Sequence, residues 1–410
     1  MSAATGPLSR HLRRTSPGER QETTPLELFF DLVFVFAVTQ LSHLLLDHLT
    51  WEGAAQTLFL LLVVWWAWTY TTWWTNWFDP ESSIPVRLVL IGGMLASLLM
   101  AIAIPEAFGD RGLLFAGAYV TLQVGRSGWA IWAYPPGSGQ RRMFMRITAW
   151  AAAAGVLWIA GGLVDTPART AIWLAALLVD YSGPAMRYRT PRLGRAADDE
   201  WVINTGHFAE RFQLFIIIAL GESVVVTGAT AAGLDLDAET VAALVVAFLG
   251  TAALWWLYFD FVARVSMHRL ELSEHPGNVA RDGYTYLHLP IVAGIIVSAV
   301  GDELVIAHPS HHLEAVPAFV VVAGPALYLV GHVFFRLRIA GSLSQRRLLA
   351  ALLIMLLWFL HGAVSAVVLG ALVVVVLLVV IAIDARSSAG LARLHASQEA
   401  QEEARRAASG

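Results

Sequence analysis

Apolar stretches of about 17 to 25 residues recur along this chain, each long enough to cross the roughly 30 Å hydrocarbon core of a bilayer. Twelve can be read, at approximately 28–46, 54–75, 86–105, 112–132, 145–164, 168–183, 208–228, 239–262, 283–304, 316–335, 347–362 and 364–384. A soluble core does not absorb so much continuous apolar sequence. Composition agrees: 57% of the 410 residues are hydrophobic and 14% charged, with a mean hydropathy of +0.62, outside the range of ordinary soluble domains. The expected fold is an all-α polytopic membrane protein of about twelve transmembrane helices, with the lipid bilayer as its first partner.

Lysine is absent, so all 27 basic residues are arginines, and their placement sets orientation by the positive-inside rule. Only Arg111 and Arg169 fall in connections on one side. The tails and the opposite connections hold the others, such as Arg141, Arg142 and Arg146, or Arg187, Arg189, Arg192 and Arg195. Both termini are therefore expected in the cytoplasm. Residues 347–384 are almost continuously apolar, and a single helix of 38 residues would run about 57 Å. A hairpin turning at His361-Gly362 or Ser365 is predicted instead. Residues 1–24 read as a disordered tail without a signal-peptide core, and 385–410 as a solvated, helix-prone end. The linker 185–207 is too short for a folded domain. Neither G-x-x-x-x-G-K-[ST] nor G-x-G-x-x-G occurs, so ATP would not drive transport directly, and no cofactor or nucleic-acid partner is expected. With no cysteine, disulfides and thiolate metal sites are excluded.

The two halves echo each other. Glu27 and Phe29 answer Glu210 and Phe212, Trp65-Trp66 answer Trp255-Trp256, Gly125 answers Gly331, Gln140-Arg141-Arg142 answer Gln345-Arg346-Arg347, and Asp180 answers Asp384. The offsets, 210 − 27 = 183, 255 − 65 = 190, 331 − 125 = 206, 345 − 140 = 205 and 384 − 180 = 204, stay in order and drift as loop insertions would make them. Chance alignment of Trp-rich apolar helices is the alternative, and the repeated Gln-Arg-Arg weighs against it. Two six-helix repeats are expected, over 25–184 and 208–384. An even number of spans gives them the same orientation, about a pseudo-twofold axis along the membrane normal, where a pathway would lie.

"LELFFDLVFVFAVTQLSHLL" in the first helix, the second helix ending "WWTNWFDP", and "NTGHFAERFQLFIIIALGES" at the seventh together resemble the bacterial low temperature requirement A (LtrA) family. The resemblance implies a multi-pass protein of the bacterial cell (inner) membrane whose loss is associated with poor growth in the cold. It supplies no substrate, reaction or catalytic residue.

Glu222 is the residue that most needs a reason. It lies 222 − 210 = 12 residues beyond Glu210, about 18 Å along a helix, which places a carboxyl near mid-bilayer, where a charge costs at least about 2.5–3.5 kcal/mol. Two readings stay open: a proton- or cation-binding group in a pathway, and a neutral acid bonding a neighbouring helix with help from Ser223. Arg211 shares its helical face but is too far along the axis to pair with it, so it either snorkels or binds an acid on another helix. Glu27 and Asp31, at i and i+4 on the first helix, are the candidates. Ser42 returns to their face and Thr39 lies beside it. Arg126 is read as a snorkelling cation or a counter-ion to those acids; Asp180, Asp260 and Asp384 read as boundary markers. Trp73, Trp74 and Trp77 fit an aromatic belt, with Trp65, Trp66 and Trp68 packing helices. Gly92-Gly93 and Gly161-Gly162 read as close helix contacts. His308, His311, His312 and Glu314 lack the spacing of a dependable metal site.

Two functions follow. One is conduction or transport of a proton, cation or small solute through a path lined by Glu222, Ser223, Glu210, Arg211, Glu27, Asp31, Thr39, Ser42 and Arg126. The alternative is a non-transporting membrane factor, either a lipid-acting enzyme or a structural protein, though Asp31, Glu210, Glu222 and His207 form no recognisable catalytic set.

Overall fold

The computed structural model describes residue 12 and residues 22–197, 200–201, 203–263, 269–270 and 273–386. Most of both expected tails lies outside these residues. Thr24, assigned to the first tail, is instead built into a helix end: it caps α1 (Pro25–Asp47) in a box with Glu27, and Pro25 opens the first turn.

The remaining helices follow the apolar segments: α2 (Trp51–Trp77), α3 (Ile84–Ala103), α4 (Gly112–Ala133), α5 (Gly139–Gly162), α6 (Ala168–Ala185), α7 (Thr205–Ala232), α8 (Ala238–Leu257), α9 (Leu289–Ala307), α10 (Ala315–Ala340) and α11 (Gln345–Leu356), then α12 (Ala366–Arg386). Their starts are written in short polar side chains. Thr50, Ser83, Ser138, Asn204 and Asp237 each accept a hydrogen bond from a first-turn amide. The hairpin is present, with a break after Leu360 in which Gly362 takes φ +75, a conformation that suits glycine. The described residues contain no strand.

Among the described residues, nine helices are long and apolar enough to cross a membrane. Those falling short of that measure are α4, with Gln123 and Arg126, α6, with Arg169 and Asp180, and α11, with Arg346 and Arg347. The outward faces are greasy: Leu88, Val156, Leu178, Phe248 and Leu349 are all exposed. The polar groups Glu27, Asp31, Arg211, Glu222 and Arg347 are buried inside, the distribution a lipid solvent selects.

π-helical turns at Tyr258–Val262 and Ala280–Tyr286 extend α8 and lead into α9. Of the paired glycines, Gly161, Gly162 and Gly93 are close contacts, since a Cβ on them would meet Trp173, Leu113 and Leu122 respectively, whereas Gly92 faces open space. The tightest seam is α9 against α10. A Cβ on Gly294 would stand 2.5 Å from the Tyr328 amide nitrogen, and one on Gly324 would stand 2.4 Å from that of Ser298.

The tryptophans depart from expectation. Trp73 and Trp74 turn inward, 7% and 1% exposed, so they form no lipid-facing belt. Trp65 and Trp66 pack in the core as expected, but their proposed counterparts Trp255 and Trp256 are half exposed. Arg169, on the side poor in arginine, is buried against the carbonyls of Ala107, Gly109, Gly161 and Val164, acceptors that helix ends leave unsatisfied.

Gly324→Val should lower stability by about 1–3 kcal/mol through overpacking, and Gly92→Val should leave it unchanged. Thermal unfolding of the two purified variants in one detergent checks this.

Candidate functional site

Asn204, just before α7, sets the site's geometry. Its side chain caps α7 through the His207 amide at 3.0 Å, while its own backbone is held by Asn76 near the end of α2: Asn76 Nδ2 donates to the Asn204 carbonyl at 3.0 Å and Asn76 Oδ1 accepts from the Asn204 amide at 2.8 Å. The second Nδ2 hydrogen reaches His207 Nδ1 at 3.2 Å. With Nδ1 accepting, the ring hydrogen sits on Nε2, and Nε2 lies 3.0 Å from Glu27 Oε1.

Glu27 is saturated. Its Oε2 receives the Thr24 amide at 2.9 Å and the Thr24 hydroxyl at 3.0 Å, and its Oε1 faces His207 and, at 3.2 Å, Arg211 Nη1. One turn on, Asp31 Oδ1 takes Arg211 Nη2 at 2.5 Å and the Trp68 indole N–H at 2.8 Å. Asp31 Oδ2 makes no hydrogen bond. Glu27, Asp31, His207 and Arg211 have no exposed surface. Of the two outcomes open to Arg211, the structure takes the second: it binds acids on another helix.

A second polar step lies farther along the same two helices. Glu222 is fully buried; Thr39 Oγ1 donates to its Oε2 at 2.5 Å, and its Oε1 makes no hydrogen bond. His43 and Glu303 are its titratable neighbours. Ser223 follows it in sequence and Ser42 lies three residues beyond Thr39; both are buried with their hydroxyls unbonded. Glu210 is half-buried near Thr23, Glu22 and Glu27, apart from Glu222.

Arg126 does not join these acids, and it does not snorkel. It is 5% exposed, donates to Thr71 Oγ1 at 2.5 Å and to Gln123 Oε1, and lies over the Tyr70 ring at 5.8 Å. Asp180 is not a boundary marker either: it is buried and receives the Tyr119 hydroxyl and the Trp158 indole N–H, each at 2.9 Å. Asp384 stays at a helix end, facing Arg347 at 3.3 Å and Arg346 at 3.6 Å. His308 and His311 rings meet at 5.7 Å, yet among the described residues no group of three or more His, Cys, Asp or Glu could hold a metal. Sequence reasoning passed over Asn76, His43 and Glu303, and read Trp68 as helix packing rather than as a donor to Asp31. Glu303 carried a signal, the Asp-Glu pair in "VGDELV" inside an apolar segment; Asn76 and Trp68 gave none apart from their partners.

The first-helix, second-helix and seventh-helix segments that carry the family resemblance thus each send residues into one buried cluster: Glu27 and Asp31, Asn76, and His207 with Arg211. The model of the family described as bacterial low temperature requirement A protein matches residues 22–382. An uncharacterized protein of Rhizobium meliloti is 40% identical over 327 residues, covering 79% of each chain. No solved structure matches.

Arg211→Gln should destabilise the protein by about 3–5 kcal/mol, because it strands two buried acids. Adding Asp31→Asn should cost less than the two single changes summed, as coupled neighbours do. Denaturation midpoints of the two single variants and the double variant check both statements.

Proposed function

The chain belongs to the bacterial low temperature requirement A family, and from that premise we propose that it carries protons, or a small cation, across the cell membrane along the interface of α1 with α7. The carrying observation is Glu222: a wholly buried carboxyl with one oxygen on Thr39 and the other unbonded. A group in that state can exchange a proton without first breaking an ion pair.

Its surroundings support a path. Polar groups occupy α1 at four-residue steps, Glu27, Asp31, Thr39, His43 and Asp47, with Val35 as the one apolar step. Twenty residues at 1.5 Å rise span about 30 Å, the depth of the hydrocarbon core, in a stripe that winds about 40° per step. At its inner end two carboxyls share one guanidinium. Between the steps the path is closed: Phe215, one turn beyond Arg211, packs on Trp68 at 4.3 Å, and Trp68 is itself bonded to Asp31. Conduction requires that contact to open.

The reading of all twelve helices as crossings, in two like-oriented repeats, gains support from the same pair. Glu222 and Thr39 differ by 222 − 39 = 183, the offset of Glu210 from Glu27, and equivalent positions touch where a twofold axis passes. Helix pairing repeats too: α1 with α3, α3 with α4 and α4 with α5 have counterparts in α7 with α9, α9 with α10 and α10 with α11. The arginine distribution supports cytoplasmic termini.

A second reading, a non-transporting membrane factor required for growth in the cold, draws on the absence of exposed surface at Glu222. Proton flux into proteoliposomes separates the two. Wild type should conduct, with Glu222→Gln lowering flux by about 10-fold or more, as loss of a membrane-buried relay group should. Equal flux in both proteins, or none in either, defeats the transport reading.

A further inference from the structure

Away from this interface, α2, α4, α5, the linker after α6 and the π-helical lead-in to α9 enclose a cleft of about 700 Å³, including its open mouth. Its wall is aromatic. Trp201 from the linker meets Trp73 at 5.4 Å and Trp77 at 6.0 Å, and stacks on Tyr188 at 5.8 Å. Its charge is one-sided: Arg126, Arg187 and Arg281 line it, and among the described residues no acid does. Arg281 is partly answered by Asp282 at 2.7 Å. Arg126 makes no direct ion pair, since its hydrogen bonds go to Ala67, Thr71 and Gln123. Asp180 is linked to it only through Gln123 and Tyr119.

Two further observations point to a ligand. The indole N–H of Trp74, a lining residue 1% exposed, has no hydrogen-bond partner, although buried indole donors normally find one. At the mouth, Arg187 and Tyr188 take φ of +50 and +48, a conformation rare for residues with a Cβ and one that clusters at binding sites. The Tyr188 hydroxyl is bonded to that of Tyr70, which fixes the linker over the cleft.

We propose that this cleft binds an organic anion, its carboxylate or phosphate seated on the Arg126 guanidinium and the Trp74 indole N–H, its apolar body against Trp73, Trp77 and Trp201. A buried guanidinium facing a cleft without acids rewards a charged acceptor over a neutral one of equal shape, and the indole faces supply apolar contact at little entropic cost. The site is separate from Glu222 and does not depend on the transport reading.

The full chain in nanodiscs of phosphatidylcholine alone, titrated with naphthoate and with its neutral amide and corrected for empty discs, tests this by calorimetry. Naphthoate should bind about 10-fold or more tightly than naphthamide, the discrimination a charge-assisted contact gives. Arg126→Gln should bring the ratio near one, and Trp74→Phe, which removes only the donor and little volume, should weaken naphthoate by about 3-fold or more. Phosphatidylglycerol added to the discs distinguishes two sources of the anion: competition assigns the site to a lipid headgroup, and no competition assigns it to a soluble anion. Equal binding of acid and amide, no binding of either, or full naphthoate affinity in Trp74→Phe overturns the proposal. Those readouts stand even if Arg126→Gln does not fold.

Discussion

The structure depends on one requirement: a guanidinium placed inside an apolar bundle must find acids at hydrogen-bond distance. Arg211 meets Glu27 at 3.2 Å and Asp31 at 2.5 Å with no exposed surface on any of the three. Desolvating such groups is costly unless geometry returns the attraction, so the pairing admits little sliding of α1 past α7. Helix α2 is drawn into the same constraint through Trp68 on Asp31 and Asn76 on His207. Glu27, which could pass for an entry acid on a channel, is occupied as a cap and as a clasp. Asp31 Oδ2 and Glu222 Oε1 are left without hydrogen-bond partners.

Helix positions were legible because apolar length is a strong signal; the caps at Thr50, Ser83, Ser138 and Asn204 fix their starts in the structure. The Arg211 pairing was legible from helical phase, since Glu27 and Asp31 share a face and no acid on α7 could reach the guanidinium. Asp180 misled because its partners, Tyr119 and Trp158, lie 61 and 22 residues away in other helices, and nothing local marks a buried acid near a helix end. Trp73 and Trp74 misled for the related reason that a tryptophan near a helix terminus reads alike whether it faces lipid or linker. The cleft was illegible, being assembled from parts of α2, α4, α5, the linker and residues 277–285. Burial divides the Trp65-Trp66 and Trp255-Trp256 pairs, which weakens that one correspondence between the halves and leaves the Thr39–Glu222 contact as the better marker of an axis.

The two polar regions have different characters. The cluster at Glu27 and Arg211 pairs cation with acids and ties three helices together, though Asp31 Oδ2 and the Arg211 Nε and Nη1 groups make no hydrogen bond. The aromatic cleft holds a cation with only neutral hydrogen-bond partners and a donor with none, and the acid Asp180 reaches that cation only through Tyr119 and Gln123. Thr285 joins the second region to α2: its carbonyl takes the Trp65 indole at 2.6 Å and its hydroxyl the Trp73 indole at 3.0 Å. Both groups sit in the π-helical turn Ala280–Tyr286.

The Asn76 clamp bears on how the chain is made. Asn76 precedes Asn204 by 128 residues, so by the time α7 leaves the translocon, the residues that receive it, Glu27, Asp31, Trp68 and Asn76, have already been synthesised. Arg211 then enters lipid toward a prepared dock rather than as a lone cation. The first half of the protein serves, in effect, as the insertion partner of the second.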